Sequence, residues 1–551
     1  MSLSSEQNQT EVENKTAFYP FGPKPLHAYL QKNAQQHPAK TAYIYYGYEL
    51  SWEELWQEVQ KTARFFQKQN MKKGDRIGLF MQNCPQYIIS HYAVQYIGAI
   101  VCPLNPMYKE NELEYLIEEA GIRAICCSEE LLPVVRSLSS YLDWTLVAHY
   151  ADYLPEQTEF SLPEELKAIK CKKRGRETTW SDMEKNDLLS VKPAEIDFNE
   201  DIALMAFTSG TTGRPKAAML TFKNALFKTA AFVQANEIQK EESWLAVMPL
   251  CHIAGMTMGV NIPVFNSSPC VLFSRFHPKD VLKALQKYKV TVWYSIASMN
   301  EAILSLTDNT TPKLTSLRIN MCTSFGMPVT EELAYRWKKL APNSTLFEAA
   351  YGLSETHTVD TYMPKEKVKF GSVGKPIIDT DIVIRGFESK EPLPPGVHGE
   401  ISVKNPGVFK GYWNRLQATA ATLKDGWVYT GDVGYVDEDG YLFVEGRIKE
   451  MIKCSGNSVF PEEVETLLKQ HPAVSQSAVI GIPDDTKGES VKAFIVLKPG
   501  KEERLNEKDI KRWAKENMAA YKVPVEIEFR SFLPTTSTGK ILRRALQNEK
   551  A

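Results

Sequence analysis

An apolar run at residues 202–207 leads directly into the nine residues Thr-Ser-Gly-Thr-Thr-Gly-Arg-Pro-Lys at 208–216. The run predicts a buried strand, and the two glycines allow the backbone after it to curl. Backbone N–H groups and hydroxyls in such a loop can donate to anions, and Arg214 and Lys216 add positive charge. The loop is not a Walker A loop, because its spacing is G-x-x-G-x-x-K and no Ser or Thr follows the lysine. The sequence therefore predicts a phosphate-binding loop, with a plain turn between two strands as the alternative.

Apolar runs and helical patterns alternate on both sides of this loop. Strands are predicted at 76–81, 99–103, 123–127, 244–247, 270–273 and 290–295, and helices at 87–97, 110–120 and 279–288. Such alternation predicts an α/β body of doubly wound subdomains with largely parallel sheets. From residue 381, short strands at 381–385, 399–404, 426–429, 434–436 and 440–444 predict a small β-barrel-like unit with a hairpin turn at Asp439-Gly440.

The remainder of the chain predicts a second, smaller unit. A helix beginning at Pro461, a helix at 507–517 and strands at 473–480, 491–497 and 526–529 indicate an α+β domain. A chain of 551 residues is also too long for one hydrophobic core. We therefore predict a flexible tail at 1–20, a large N-terminal domain at 21–446 and a small mobile C-terminal domain at 447–551.

Charge, cysteine content and the lengths of apolar runs exclude several classes of protein. Lys and Arg (65) nearly balance Asp and Glu (67), which argues against a nucleic-acid-binding protein. Nine cysteines without a Cys-x-x-Cys pair favour a reducing compartment over disulfides or structural zinc. No apolar run is long enough for an integral membrane segment and no signal peptide is recognised, so a cytoplasmic protein is expected. The basic cluster at 167–176 is interpreted as a solvated loop, with peripheral contact to acidic lipid headgroups as the alternative.

Four further motifs follow the phosphate-binding loop. They read Tyr-Gly-Leu-Ser-Glu-Thr at 351–356, Tyr-Thr-Gly-Asp at 429–432, Gly-Arg-Ile-Lys-Glu at 446–450 and Gly-Lys at 539–540. An aromatic ring can stack on adenine, one carboxylate can hold Mg²⁺, and another can accept both ribose hydroxyls. The order of the motifs, which extend from residue 208 to residue 540, resembles that of the adenylate-forming superfamily. This superfamily comprises acyl-CoA synthetases, luciferases and the adenylation domains of nonribosomal peptide synthesis, and the run at 449–461 looks most like that of fatty acyl-CoA synthetases.

The resemblance implies roles for individual residues. Lys540 would be the adenylation lysine, acting with Thr211, Glu355 and His252 as the catalytic set, and Glu355 would also hold Mg²⁺. Lys449 would be the hinge between domains, and Gly456 would face CoA. The implied ATP- and AMP-binding residues are Thr208, Ser209, Gly210, Thr212, Gly213, Lys216, Gly326, Met327, Ala350, Tyr351, Gly352, Ser354, Asp432, Val444 and Arg447.

The same resemblance implies an acyl pocket at His252, Phe325 and Gly326. In the string Thr-Ser-Phe-Gly-Met-Pro at 323–328, Phe325 and Met327 replace a glycine and an alanine that relatives typically carry. A bulky ring at this position argues against a long straight acyl tunnel. The alternative for His252 is a histidine packed in the core, and Cys251 is interpreted as a small apolar residue rather than a nucleophile.

The implied reaction is ATP-dependent activation of a medium- or long-chain fatty acid as acyl-AMP, with release of pyrophosphate and transfer to free CoA. Mg²⁺ is the implied cofactor, and ATP and CoA are the co-substrates. Three alternatives stay open: a ligase for an aromatic or other apolar carboxylate similar to 4-coumarate–CoA ligases, a luciferase-like oxygenase, and a non-catalytic acyl or AMP binder. The sequence leaves the oligomeric state open, a homodimer included.

Overall fold

The computed structural model describes residues 16–548 except 168–171, 184–190, 209–214, 241, 309, 326, 455–456, 485, 501–504 and 536–540. Most of the predicted N-terminal tail therefore lies outside the described residues, as does part of the basic cluster. The described chain forms two seven-stranded sheets, an antiparallel β unit and a smaller C-terminal sheet with helices. The predicted α/β fold class is confirmed.

The first sheet contains the strand that leads into the phosphate-binding loop. Its strands, in spatial order, are Glu177–Thr179, Trp144–Ala148, Ile122–Ser128, Arg76–Phe80, Ile100–Pro103, Ile202–Thr208 and Lys216–Thr221. Neighbouring strands run parallel except for the last two, which form an antiparallel hairpin. The strands predicted at 76–81, 99–103, 123–127 and 202–207 agree with the structure to within one residue at each end, because these apolar runs are the buried parts of the sheet.

The second sheet takes its strands from both ends of the large domain. In spatial order they are Thr345–Glu348, Ile319–Thr323, Val292–Ile296, Trp244–Ala246, Cys270–Leu272, Thr41–Tyr45 and Tyr48–Ser51. The strand predicted at 290–295 begins instead at Val292. Lys289 adopts a left-handed conformation with φ of 46°, and the N–H of Val290 bonds back to Leu285 O, so the helix end extends into the apolar run.

Helices cover both sheets, and one continuous hydrophobic core contains residues of the two. Every residue of the helix Pro85–Tyr96 is buried. The predicted helices at 87–97 and 279–288 begin slightly earlier, because Pro85 and Pro278 occupy the first helical position. The helices of this part are Leu26–Gln36, Trp52–Lys68, Pro85–Tyr96, Glu110–Ala120, Leu132–Ser137, Trp180–Met183, Phe222–Ala235, Ile253–Met256, Ile262–Asn266, Pro278–Lys287, Ala297–Leu304, Glu331–Leu340 and Leu416–Thr422, with a π-helix at Thr257–Asn261.

The β unit is an antiparallel sheet of five strands that follows the second large sheet. Its strands are Asp381–Arg385, Gly399–Lys404, Trp427–Val436, Leu423–Lys424 and Leu442–Arg447, and a two-stranded ribbon of Thr361–Tyr362 and Lys375–Pro376 precedes it. The prediction of separate strands at 426–429 and 434–436 is wrong. One strand continues through Gly431, which has φ of 70°. Its pairing is irregular there: the register shifts between Tyr429 and Val433 on one side and between Val433 and Gly434 on the other, without ending the strand.

The C-terminal unit has its own sheet and core. Its strands are Asn457–Val459, Ile452–Cys454, Gly488–Leu497, Val474–Asp484 and Glu526–Phe529, and its helices are Pro461–Lys469, Glu507–Asn517 and Arg543–Asn548. The two central strands exceed the predicted 473–480 and 491–497, because polar residues beyond the apolar runs continue their antiparallel pairing. None of the helices formed by the described residues has the length and apolar character that a membrane crossing requires.

Candidate active site

The phosphate-binding loop begins and ends at a paired position of the first-sheet hairpin. Thr208 pairs with Lys216 at the end of the two antiparallel strands. The Thr208 hydroxyl is buried and has no hydrogen-bond partner among the described residues, which leaves it able to bond a ligand oxygen. Ser209, Gly210, Thr211, Thr212 and Gly213 lie outside the described residues.

Lys216 and Glu355 meet at the side chain of Tyr412. The Lys216 ammonium lies 4.0 Å from the centroid of the Tyr412 ring, and the Tyr412 hydroxyl donates a 2.5 Å hydrogen bond to Glu355 Oε1. Burial lowers the pKa of Lys216, and the Glu355 carboxylate opposes this change. A cation and a carboxylate therefore flank one aromatic residue beside the phosphate-binding loop. Sequence reasoning missed Tyr412, because its neighbours form no motif that marks it.

Ser354 and Glu355 lie in a single 3₁₀ turn, Ser354–Thr356. The turn follows the strand Thr345–Glu348 at the edge of the second sheet, and Phe409 N donates to Glu355 O at 2.8 Å. Ala350, just before this motif, is half-buried against the main core. The second sheet thus presents the motif, and the chain beyond the strand Gly399–Lys404 holds it from the other side.

Tyr351, Asp432 and Arg447 come from three separate motifs and form one hydrogen-bonded group. The Tyr351 hydroxyl donates to Asp432 Oδ2 at 2.7 Å, and Arg447 Nε lies 2.8 Å from Asp432 Oδ1. Asp432 is buried, and Tyr351 and Val444 both border the small apolar cluster inside the β unit. Each carboxylate oxygen of Asp432 has a second lone pair, so these bonds leave acceptor capacity for two ribose hydroxyls.

His252 and Ser354 line the same small pocket of about 60 Å³, with Phe207, Tyr108 and Cys251 among its other walls. The pocket lies where the strands Ile100–Pro103 and Ile202–Thr208 end. His252 is exposed and directly precedes the helix Ile253–Met256. Burial raises the pKa of Cys251 to about 12, so its thiol stays protonated and is a poor nucleophile at neutral pH.

Ser324, in the segment 323–328 that contains Phe325, contacts the Glu348 carboxylate at the end of the strand Thr345–Glu348. The N–H of Ser324 donates to Glu348 Oε1 at 3.2 Å, and the Ser324 hydroxyl bonds the other oxygen. Phe325 is half-buried against the main core, whereas Met327 is exposed. Gly326 lies outside the described residues. Glu348 was missed by sequence reasoning, since a lone glutamate at a strand end carries no signal.

The predicted hinge Lys449 lies in a short 3₁₀ turn, Ile448–Glu450, and its side chain is exposed. Its neighbour Glu450 bonds Arg543 at 2.5 Å, and Arg543 also contacts Glu462 and Glu465 on the helix Pro461–Lys469. The final helix is therefore joined to the hinge turn. Lys540 and Gly456 lie outside the described residues.

Metal ligands in this region are few. No group of three or more His, Cys, Asp and Glu side chains is placed to hold a metal ion, as far as the described part of the chain extends. The Glu355 carboxylate would be one ligand of Mg²⁺, together with phosphate oxygens of bound ATP. Such an all-oxygen set fits this hard cation.

Comparison with known proteins identifies the family. The family model described as AMP-binding enzyme matches residues 30–413, and that of the AMP-binding enzyme C-terminal domain matches residues 463–540. The chain therefore belongs to the AMP-binding enzymes, and the resemblance to the adenylate-forming superfamily is confirmed.

Individual relatives cover nearly the whole chain. A long-chain-fatty-acid–CoA ligase of Bacillus subtilis (strain 168) is 36% identical over 542 residues, which cover 96% of this chain and 95% of that protein. A feruloyl-CoA synthase of Amycolatopsis sp is 33% identical over 93% of this chain and 96% of its own. The structure of O-succinylbenzoate coenzyme A synthetase from Bacillus subtilis with ATP and magnesium ion has a TM-score of 0.77 at 26% identity, covering 95% of this chain and 99% of that one.

Proposed function

We propose that this chain converts a medium- or long-chain fatty acid to its CoA thioester through a fatty acyl-AMP intermediate. The chain is an AMP-forming acid–CoA ligase, and the 36% identical fatty-acid ligase supports the choice of a fatty acid as substrate. The observation that carries the proposal is the hydrogen-bonded group of Tyr351, Asp432 and Arg447. It joins residues of three predicted nucleotide-binding motifs, the first of which lies 81 positions before Asp432.

In the first step, a carboxylate oxygen of the acid attacks the α-phosphorus of ATP, and the bond to the pyrophosphate oxygen breaks. This step depends mainly on positioning and on positive charge. We assign Tyr351 to adenine, Asp432 to the ribose, and Lys216 with its loop to the phosphate oxygens. We assign Lys540 to the reacting carboxylate and α-phosphate. Bound Mg²⁺, held by Glu355, would supply further positive charge at the phosphates.

In the second step, the CoA thiol attacks the acyl carbonyl carbon, and AMP leaves. We place the domain boundary near residue 447 and the swivel at Lys449. Rotation there would withdraw Lys540 and bring the Gly456 region to the pantetheine arm of CoA. We also place the reaction in the cytoplasm, since the cysteine content favours a reducing compartment.

An aromatic carboxylate is the second candidate substrate. The 33% identical feruloyl-CoA synthase favours it, and so does the aromatic ring of Phe325 in the predicted acyl pocket. A flat, short acid needs no long tunnel, and its ring would pack against Phe325.

A substrate panel distinguishes the two candidates. The purified chain would receive Mg-ATP, CoA and one acid at a time, from acetate through long-chain fatty acids to ferulate, and AMP formation would be measured. We expect the highest kcat/KM for a medium- or long-chain fatty acid. A clear preference for ferulate would replace the fatty acid with an aromatic one, and no AMP with any acid would contradict ligase activity. The Lys540→Ala variant, in which adenylate formation should be slower by about 10²–10³-fold, serves as the control for contaminating ligases.

A further inference from the structure

The segment that carries Ser354 and Glu355 continues into a tightly folded loop, residues 351–360. Left-handed conformations occur at three consecutive non-glycine residues. They are His357, Thr358 and Val359, with φ of 57°, 58° and 50°. The left-handed region is unfavourable for β-branched residues in particular, so such a loop persists only when its surroundings determine its shape.

The loop closes on its own beginning. Asp360 N donates to Tyr351 O and Thr358 N donates to Leu353 O, both at 2.7 Å. A Cβ atom on Gly352 would lie 2.4 Å from Val359 N, so the backbones approach too closely for any other residue at 352. The shape of residues 357–360 therefore sets the position of the Ser354–Thr356 turn.

A buried ion pair holds the end of this loop. Lys228 Nζ lies 2.6 Å from Asp360 Oδ1 and donates to Val359 O at 3.0 Å, and both side chains are 0% exposed. Asp360 also accepts from Asn405 Nδ2 at 2.9 Å and from Thr356 Oγ1 at 2.5 Å. Lys228 belongs to the helix Phe222–Ala235, which follows the phosphate-binding hairpin, and Asn405 follows the strand Gly399–Lys404. The pair thus connects the 351–360 loop to the helix Phe222–Ala235 and, through Asn405, to the β unit.

Stability alone does not explain this pair. Removing two charges from water is unfavourable, and an apolar pair of similar size usually stabilises a core as well or better. Asp360 accepts a hydrogen bond from Thr356, the residue that directly follows Glu355. The ion pair is therefore linked to the turn that contains Glu355. Its location therefore points to the position of the Ser354–Thr356 turn rather than to the strength of the core.

We propose that Lys228 and Asp360 are positioning residues, which hold the 351–360 loop so that Ser354 and Glu355 face the nucleotide; this inference rests on the proposed function. Both side chains are fully buried, so neither can contact substrate directly. Their effect passes through Thr356 and Val359 to the turn, and it acts on adenylate formation rather than on thioester formation.

The test separates positioning from stability. Lys228→Met and Asp360→Leu would each leave a buried charge unpaired and lower Tm, whereas the double variant would fill the same space with apolar side chains and recover Tm. In the double variant we expect pyrophosphate release at saturating ATP to stay slower by roughly 10²-fold, because small displacements of catalytic groups have effects of that size. The Mg²⁺ concentration for half-maximal rate should rise, and thioester formation from supplied acyl-AMP should be nearly unchanged.

A matched pair on the surface is the control. Lys73 and Asp201 also lie 2.6 Å apart, with side chains 45% and 22% exposed, so the variant Lys73→Met/Asp201→Leu removes the same charges away from the loop. It should retain wild-type rates. If activity recovers together with Tm in the Lys228→Met/Asp360→Leu variant, or if both half-reactions slow equally, the inference is wrong.

Hydrogen exchange keeps this inference distinct from the proposed function. The amides of residues 351–360 should exchange faster in the Lys228→Met/Asp360→Leu variant than in the wild type and in the surface control. If the wild type forms no acyl-AMP with any acid, the proposed function fails by itself. Equal amide exchange rates at residues 351–360 in the wild type and the Lys228→Met/Asp360→Leu variant would overturn the role of the ion pair, whether or not the proposed function holds.

Discussion

The hydroxyl of Tyr351 donates a 2.7 Å hydrogen bond to Asp432 Oδ2 across 81 positions of sequence. This bond joins the edge of the second sheet to the β unit, and Arg447 completes the group from the next strand. The surface on which we place the nucleoside is therefore assembled from two structural units. Substitutions of these residues are expected to raise the KM for ATP to different extents.

Asp432→Ala should raise the KM for ATP with a smaller effect on kcat. Ribose contacts are present in both the ground state and the transition state, so their loss weakens uniform binding. Tyr351→Phe, which removes only the hydroxyl, is the matched control and should raise this KM less. ATP saturation curves of pyrophosphate release measure both effects. A fall in kcat at unchanged KM would contradict the assignment of Asp432 to the ribose.

Glu355→Gln should raise the Mg²⁺ concentration required for adenylate formation, because an amide oxygen is a much weaker ligand for this cation than a carboxylate. The variant Tyr412→Phe removes the hydrogen bond that Tyr412 donates to Glu355, whereas the Glu355 carboxylate keeps its negative charge. We expect it to have a smaller effect in the same Mg²⁺ titration. Unchanged Mg²⁺ dependence of Glu355→Gln would exclude Glu355 as the metal ligand.

Lys540→Ala should slow adenylate formation by about 10²–10³-fold, the usual effect of losing one preorganised charge in an active site. Thioester formation from supplied acyl-AMP should be nearly intact, since Lys540 would have moved away before CoA attacks. The two half-reactions can be measured separately by pyrophosphate release and by acyl-CoA formation. Equal loss in both would contradict a model in which the small domain alternates between them.

Phe325→Gly should shift the preferred acyl chain to greater length while the KM for ATP changes little. Each CH₂ group that a substrate buries contributes about 0.8 kcal/mol to binding. A ring that blocks several CH₂ positions therefore changes the ratio of kcat/KM between longer and shorter acids several-fold per carbon. The measurement is kcat/KM across a series of fatty acids. If the optimum does not move, Phe325 does not limit the pocket and only packs against the core that it contacts.

Glu348→Gln should stabilise the protein above pH 7 and have less effect at pH 5. Burial raises the pKa of Glu348 to about 7, from an ordinary value near 4.3, although the hydrogen bonds of Ser324 oppose the rise. A carboxyl group whose pKa is raised in the folded state contributes stability that is complete when the pH is below the pKa of the unfolded state. This stability is lost as the pH rises through 7, the pKa in the folded state. The Tm of the variant should exceed that of the wild type by about 2–4 °C at pH 8. A constant difference between pH 5 and pH 8 would show that ionisation of Glu348 is not responsible.

Much of the large domain could be predicted, and the reasons are physical. Buried parallel strands are continuous apolar runs, so local sequence is sufficient to place them. The predicted helices at 87–97 and 279–288 began late, because the starts that Pro85 and Pro278 mark were not used. Thr41–Tyr45 was not predicted to join the second sheet, because its parallel partner Cys270–Leu272 lies more than 200 residues away. No local pattern specifies such a pairing.

The same distinction applies to the site. Tyr351, Glu355 and Asp432 lie in recognisable motifs, whereas Tyr412 and the pair Lys228–Asp360 contact the motifs only after the chain folds. The sequence analysis did not identify Lys228, although a lysine in a largely apolar helix is a signal that could have indicated it, since a buried ammonium requires a partner. Which carboxylate that partner is follows only from the tertiary structure.

The two ion pairs on either side of Lys449 have a mechanical consequence. Arg447 bonds Asp432 in the large unit, and Glu450 bonds Arg543 in the final helix, so only Ile448 and Lys449 separate the two anchored positions. In the alternation that we propose, the backbone torsions of these two residues would carry the whole reorientation of the small unit. A pivot this short would restrict Lys540 to a single arc, and reversing that one rotation after each turnover would restore the arrangement for adenylation.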